Sequence, residues 1–366
     1  MLREPTSGGE PRMGETEHGP DYTRIVKALN FKEPDRLPTM ELMVDLPVQE
    51  QFLGRKIASV GDEIEFYIKA GYDFFYQKAR FEFPGIPPVL SFGSEIRIDA
   101  QKDHTDISFD PHKGECPLKN REGFAKYKWP DPDAIDYSNM DYVAKAVPEG
   151  MGIVAGVGGI FARSWILMGF KNFCSGVLRD PDYVGQVFEA IGNVSVELAR
   201  RLVKKPKVFA LWYSDDFAHA DAPMISPNAV RKYLFPYMKR MIEITHNAGL
   251  PFIYHGCGNV LPLLDDLLAM GIDALHPIEP KAINIYELKE KLYGKVAIIG
   301  NVAVDLLTNG TPEKIESDVK EHIQRLAPGG GYIISSSNSI AYYIPVENYR
   351  VFLNCIRKYG KYPISM

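Results

Sequence analysis

The chain has 366 residues, 45% hydrophobic and 24% charged, which is a globular composition. Its 42 basic and 47 acidic residues give a net charge of −5, and no basic run points to nucleic acid or an anionic membrane surface. No apolar stretch approaches the ~20 residues needed to span a bilayer. Cysteines at 116, 174, 257 and 355 are too scattered for a disulfide framework, so a reducing cytoplasm is the expected compartment.

Residues 1–20 are rich in Gly, Pro, Glu and Arg, lack the apolar run of a secretory signal, and read as a disordered tail. From residue 21 to 366 strand and helix patterns alternate in what reads as one domain. Residues 22–31 suit a short helix, 37–43 a first strand, 57–70 a helix stopped by Gly71, and 72–78 a second strand. Residues 80–130 carry many prolines and glycines and read as an insertion after the second strand, with a hairpin near 94–100. Further strands are expected at 151–157, 208–215, 251–257, 273–279, 296–302 and 332–337. Helices lie between them, at 180–204, 226–247, 260–270, 284–292 and 311–326, with a last one at 346–358. Asp180-Pro181 and Ser226-Pro227 are cap signals with proline at the first helical position. Eight strands separated by helices predict an α/β fold, a (β/α)8 TIM barrel, with an open doubly wound sheet as the alternative. No glycine-rich turn of the dinucleotide or nucleotide-phosphate type is present, and Gly156-Val157-Gly158-Gly159 is too short to count as one.

A barrel of this kind gathers its chemistry where the strands end. Tyr254-His255-Gly256-Cys257-Gly258-Asn259 places an imidazole and a thiol at such an end. Their i, i+2 spacing points both to one face of a strand, and the pair suits zinc. The other strand ends offer Glu41, Gln77 with Lys78, Asp215 with Asp216, His276 with Glu279, Asn301, and Ser337 with Asn338. Tyr342-Tyr343 follows as a lid or packing surface beside the substrate. Each residue also has a bland reading. A lone cysteine is often a small buried hydrophobe, a strand-end histidine often a hydrogen-bonded structural group, and Asp215-Asp216 a cap.

Several segments taken in order resemble the uroporphyrinogen decarboxylase superfamily. They are Asp215-Asp216, Ile225-Ser226-Pro227, Phe235-Pro236-Tyr237, His255-Gly256-Cys257-Gly258-Asn259 and Gly300-Asn301-Val302. They continue with Asn309-Gly310-Thr311-Pro312-Glu313, Ala327-Pro328-Gly329-Gly330-Gly331-Tyr332, Pro345-Val346-Glu347-Asn348 and Tyr359-Gly360-Lys361-Tyr362-Pro363. The resemblance runs from about residue 22 to the C-terminus and implies the (β/α)8 barrel independently of the strand pattern.

The superfamily holds two chemistries. Its true decarboxylases have an arginine-rich segment after the first strand, an aspartate near the end of the second and a histidine near the last. Here residues 40–47 contain no arginine, Gln77-Lys78 ends the second strand, and Asn338 stands near the last. Like charges facing a polyanionic tetrapyrrole oppose its binding. The other branch, corrinoid-dependent methyltransferases, is similar in a His-x-Cys pair, which His255 and Cys257 match. That branch implies zinc and a corrinoid carried by a partner protein. Its third ligand, a cysteine, is replaced by Asn338. Asp215, Glu279, His276 and Glu41 are then the candidates for the missing ligand. The resemblance therefore implies a zinc-assisted methyltransferase acting on a small methylated compound. His255, Cys257 and Asp215 are its catalytic candidates, and Glu279 joins His255 and Cys257 as a metal candidate. Glu41, Gln77, Asn301, Asn338 and Tyr342 are the substrate-facing candidates. The alternatives are a decarboxylase of a carboxylated substrate and a non-catalytic binding barrel.

Overall fold

The computed structural model describes residues 19–79, 83–86 and 116–365. The expected tail, apart from Gly19 and Pro20, and the hairpin expected near 94–100 lie outside them. Seven strands form one sheet: β1 (Phe74–Lys78), β2 (Gly152–Gly158), β3 (Val208–Ser214), β4 (Phe252–His255), β5 (Ala274–His276), β6 (Ala297–Ile299) and β7 (Tyr332–Ile333). They pair in chain order and all are parallel. Each crossover carries helix, as parallel pairing requires. The strands read as apolar runs because helices cover one face and packed side chains the other: Ile153, Val154, Ala155 and Val157 of β2 are all fully buried. The sheet curls about its inner face. Trp212 on β3 lies edge-on to Tyr76 of β1 at 6.1 Å and to His276 of β5 at 5.0 Å. This is the geometry of a TIM-like half-barrel.

The eighth expected strand, residues 37–43, is not a ladder. It touches the far side of β7 through single parallel bridges, Thr39 to Ile334 and, just beyond it, Val44 to Ile340. Pro38 has no N–H to give a ladder and offers only its carbonyl, to Ile334 N–H at 3.2 Å. Further on, the carboxylate of Glu41 takes the place of backbone pairing and accepts from Ser336 N–H at 2.7 Å.

The cap signals hold in detail. Asp180 accepts from Tyr183 N–H at 3.2 Å and opens the helix Pro181–Leu202. Ser226 likewise accepts from Ala229 N–H at 3.2 Å. The single helix expected over 226–247 is two, Pro227–Tyr233 and Phe235–Asn247, because Pro236 cannot donate to the preceding turn. Two helices that follow β2, Ile160–Met168 and Phe170–Arg179, were not foreseen.

Candidate metal centre

β4 ends at His255, and the chain continues extended far enough for Cys257 to face the same way. Gly258 turns the backbone out at φ +88°. A β-carbon there would sit 2.5 Å from the carbonyl oxygen of His219, so only glycine fits. Cys257 Sγ lies 3.7 Å from His255 Nε2. Asp216, on the loop after β3, completes a cluster. Its Oδ1 is 3.8 Å from His255 Nε2 and accepts Cys257 N–H at 2.7 Å. One ligand atom from each of Asp216, His255 and Cys257 lies within 4.8 Å of the others. Around a tetrahedral zinc, with bonds of about 2.0–2.3 Å, such atoms stand about 3.4–3.6 Å apart. The donor set, imidazole with thiolate and carboxylate, fits a catalytic zinc with one open position, and its two negative charges match the ion.

Asp215 does something else. It shares a face of β3 with Tyr213, whose hydroxyl donates to its Oδ2. Phe161 N–H and Ala162 N–H also donate to its carboxylate, at 2.8 and 2.9 Å. Asp215 thus caps the helix Ile160–Met168, whose own cap residue, Gly159, has no side chain to do so. A β-carbon on Gly159 would fall 2.1 Å from Asp215 Oδ1, so the glycine at this position makes room for the carboxylate. Burial pushes the Asp215 carboxyl up to about 6 against these hydrogen bonds.

Behind the cluster lies a buried polar file. His255 Nδ1 is 2.7 Å from His276 Nδ1, and His276 Nε2 is 3.2 Å from Ser335 Oγ. Next along the chain from Ser335, Ser336 donates to Glu41 through its N–H at 2.7 Å and its Oγ at 2.6 Å. Burial holds His255 down to about 4, the Asp216 charge opposing this and Lys78 adding to it. His276 is held well below its ordinary range, also by burial. Both rings are therefore neutral near pH 7. Burial likewise raises Glu41 to about 8. The Cys257 thiol is pushed well up, by burial first and then by the Asp216 charge, while the Asn338 amide opposes the rise.

The structure brings His255, Cys257 and Asn338 together, the last donating Nδ2–H to Cys257 Sγ at 3.3 Å. Glu41 is buried and turned onto Ser336. Glu279 lies outside the three-residue cluster, and Lys281 N–H donates to its Oε1 at 3.2 Å. Gln77 shares the outer face of β1 with Phe75, which packs on Tyr67, and donates to Lys78 O at 2.9 Å. Asn301 is buried between Ile278 O, at 2.8 Å, and His322 Nε2, at 3.1 Å. Tyr342 is 49% exposed, and its N–H donates to Asp45 at 2.9 Å. Sequence reasoning named Asp216 only as Asp215's neighbour, and it left Ser335 unremarked. Strand alternation carried the first signal, since Trp212, Ser214 and Asp216 fall on one face and Tyr213 and Asp215 on the other.

Among curated proteins the chain is 24% identical, over 193 residues, to a methylated-thiol–coenzyme M methyltransferase of Methanosarcina mazei. That match covers 52% of this chain and 49% of the relative, so the chain spans about half the length of that protein. It is 21% identical, over 352 residues, to a uroporphyrinogen decarboxylase of Anaeromyxobacter dehalogenans, covering 93% and 91% of the two chains. Among solved structures, a methyltransferase from Methanosarcina mazei superposes with a TM-score of 0.63 at 17% identity, covering 92% of this chain and 98% of the other, a likeness of fold. The family model for uroporphyrinogen decarboxylase (URO-D) matches residues 98–359, most of the chain, and the protein therefore belongs to the URO-D family.

Proposed function

We propose that this chain is a zinc-assisted methyltransferase that moves a methyl group between a small methylated compound and a corrinoid carried by a partner protein. The observation that carries the reading is the convergence of Asp216, His255 and Cys257. His255 Nε2, Cys257 Sγ and an Asp216 oxygen hold the ion, Asp216 taking the place of the cysteine that Asn338 replaces. Bound there, zinc supplies Lewis acidity to the donor heteroatom or lowers the pKa of an acceptor thiol. Cys257 gives up its proton on binding, so affinity falls as pH drops. The Asn338 amide supports the thiolate by donating to Sγ. In-line transfer needs both reactants held at the mouth, which suits docking of a corrinoid protein there. In this reading residues 21–366 form one (β/α)8 barrel in the cytoplasm, with 37–43 as its eighth wall.

A decarboxylase reading draws on the uroporphyrinogen decarboxylases among the relatives. Against it, residues 40–47 hold no arginine and Glu41 is turned inward onto Ser336. The test has two arms. Protein purified under reducing conditions with zinc supplied should carry close to one ion per chain and consume methylcobalamin with a thiol acceptor. Negligible zinc together with stepwise release of carbon dioxide from reduced uroporphyrin would overturn the proposal.

A further inference from the structure

The inner face of the curled sheet holds a second group of polar side chains beside the cluster. Alternation along β3 puts Trp212, Ser214 and Asp216 on that face, where Trp212 meets Tyr76 edge-on. Ser214 stands in register with Gly158 on one side and His255 on the other. Gly156 and Gly158 of β2 share the face, and neighbouring side chains occupy the space they leave. A β-carbon on Gly156 would fall 2.3 Å from the Tyr76 hydroxyl and 2.8 Å from Lys78 Cγ, and one on Gly158 would fall 2.6 Å from Arg163 Nη2. Lys78 and Arg163 therefore lie over β2 on the side to which Ser214 points. Arg163 is anchored there, donating Nη1–H to Gly158 O at 2.7 Å, with its guanidinium 4.9 Å from the Phe83 ring centroid. Trp212 Nε1 and Ser214 Oγ, by contrast, are buried with no hydrogen-bond partner among the described residues. A buried donor left so costs about 1–3 kcal/mol, and it marks a place that a bound group completes.

We propose that Ser214, Trp212, Lys78 and Arg163 form a subsite for an oxyanion of the small substrate, a carboxylate or a sulfonate. An indole N–H, an ammonium and a guanidinium can only donate, and the last two carry charge, so the set selects a negatively charged acceptor. The carboxylates nearby are taken up elsewhere. Asp215, whose charge bears on Arg163, faces the other way and accepts from Tyr213, Phe161 and Ala162. Asp216 shares the face but accepts Cys257 N–H. Neighbouring strands lie about 4.8 Å apart, so an oxyanion on Ser214 sits one strand from His255 and within a small molecule's reach of the cluster. The placing of the reacting atom at that cluster rests on the function proposed above, whereas the oxyanion subsite needs no ion.

The experiment is 15N–1H NMR on the full chain, metal-free and labelled at tryptophan. It follows the Trp212 indole signal, identified by its loss in Trp212→Phe. Propionate and ethanesulfonate should each shift that signal saturably, and uncharged propanamide, close to propionate in size, should not. The tighter of the two anions tells carboxylate from sulfonate. Ser214→Ala should weaken anion binding about tenfold, and Arg163→Gln and Lys78→Gln at least as much. Ser214→Thr keeps the hydroxyl and should bind as the wild type does. A wild-type indole signal that neither anion moves, or that propanamide moves equally, overturns the inference without any variant having to fold. So do folded Ser214→Ala and Arg163→Gln proteins with unchanged anion affinity. Zinc uptake measured on the same protein separates the two readings. Uptake without anion binding sinks the subsite alone, and anion binding without uptake sinks the metal reading alone.

Discussion

Asp215 and Asp216 are neighbours in the chain, yet one accepts from helix N–H groups behind the sheet and the other faces His255 and Cys257. Substituting each by asparagine should separate the two roles. Asp215→Asn loses one of three acceptor contacts in a buried site and should lower stability by about 1–3 kcal/mol, with metal affinity intact. Asp216→Asn should leave stability within about 0.5 kcal/mol, as an exposed position allows. It should weaken zinc binding at least about tenfold, more than the lower bound for outer-shell changes. Chemical denaturation and metal titration on both proteins check the pair, and the reverse assignment would show the faces to be misread. Glu41 adds a pH dependence. Its folded value, about 8, lies above its ordinary 4.5, so the folded protein binds more protons across that window. Stability should therefore fall as pH rises from about 4.5 to 8, by up to about 1.4 kcal/mol per pH unit from this group. Glu41→Gln should flatten that part of the stability profile, and an unchanged slope would assign it to other groups.

At the scale of elements, most of the architecture was legible because it is local. Asp180-Pro181 declares a helix start through a bond spanning three residues, and the structure has that bond. Asp180→Ala should cost about 1 kcal/mol in thermal or urea unfolding and leave zinc uptake unchanged. The misreadings were local as well. Pro236 splits a helix and Pro38 thins a strand, since each removes a donor that the apolar pattern takes for granted. The centre was half legible. Alternation found His255 and Cys257, two residues apart at and just beyond the end of one strand. The contacts from Asn338 to Cys257 and from Ser336 to Glu41 join residues 81 and 295 positions apart, and no period in one sequence encodes such pairs.

For the whole molecule, ion binding and folding are one equilibrium if the centre forms only in the native state. Zinc at about 100 times its dissociation constant should add about 2.7 kcal/mol to stability. Calorimetry should show the midpoint rising with zinc in the wild type and staying still in Cys257→Ser. A similar rise in both proteins would place the ion elsewhere.

Residues 37–44 meet β7 and its continuation through the Thr39–Ile334 and Val44–Ile340 bridges, the Thr39 hydroxyl on Ile334 O, and the Glu41–Ser336 clasp. These contacts span most of the chain, and closing so long a loop is entropically slow. Order of assembly follows from this seam. Asp216, His255 and Cys257 can approach one another as soon as β3 and β4 pair, but Ser335 and Asn338 arrive only with the last strand. A half-built molecule thus has the grip without its backing and should hold an ion loosely. During refolding, tight zinc capture should lag the return of helical circular dichroism, and simultaneous recovery would show that the seam closes early. Late closure would make metal retention a certificate that synthesis has run through the final strand.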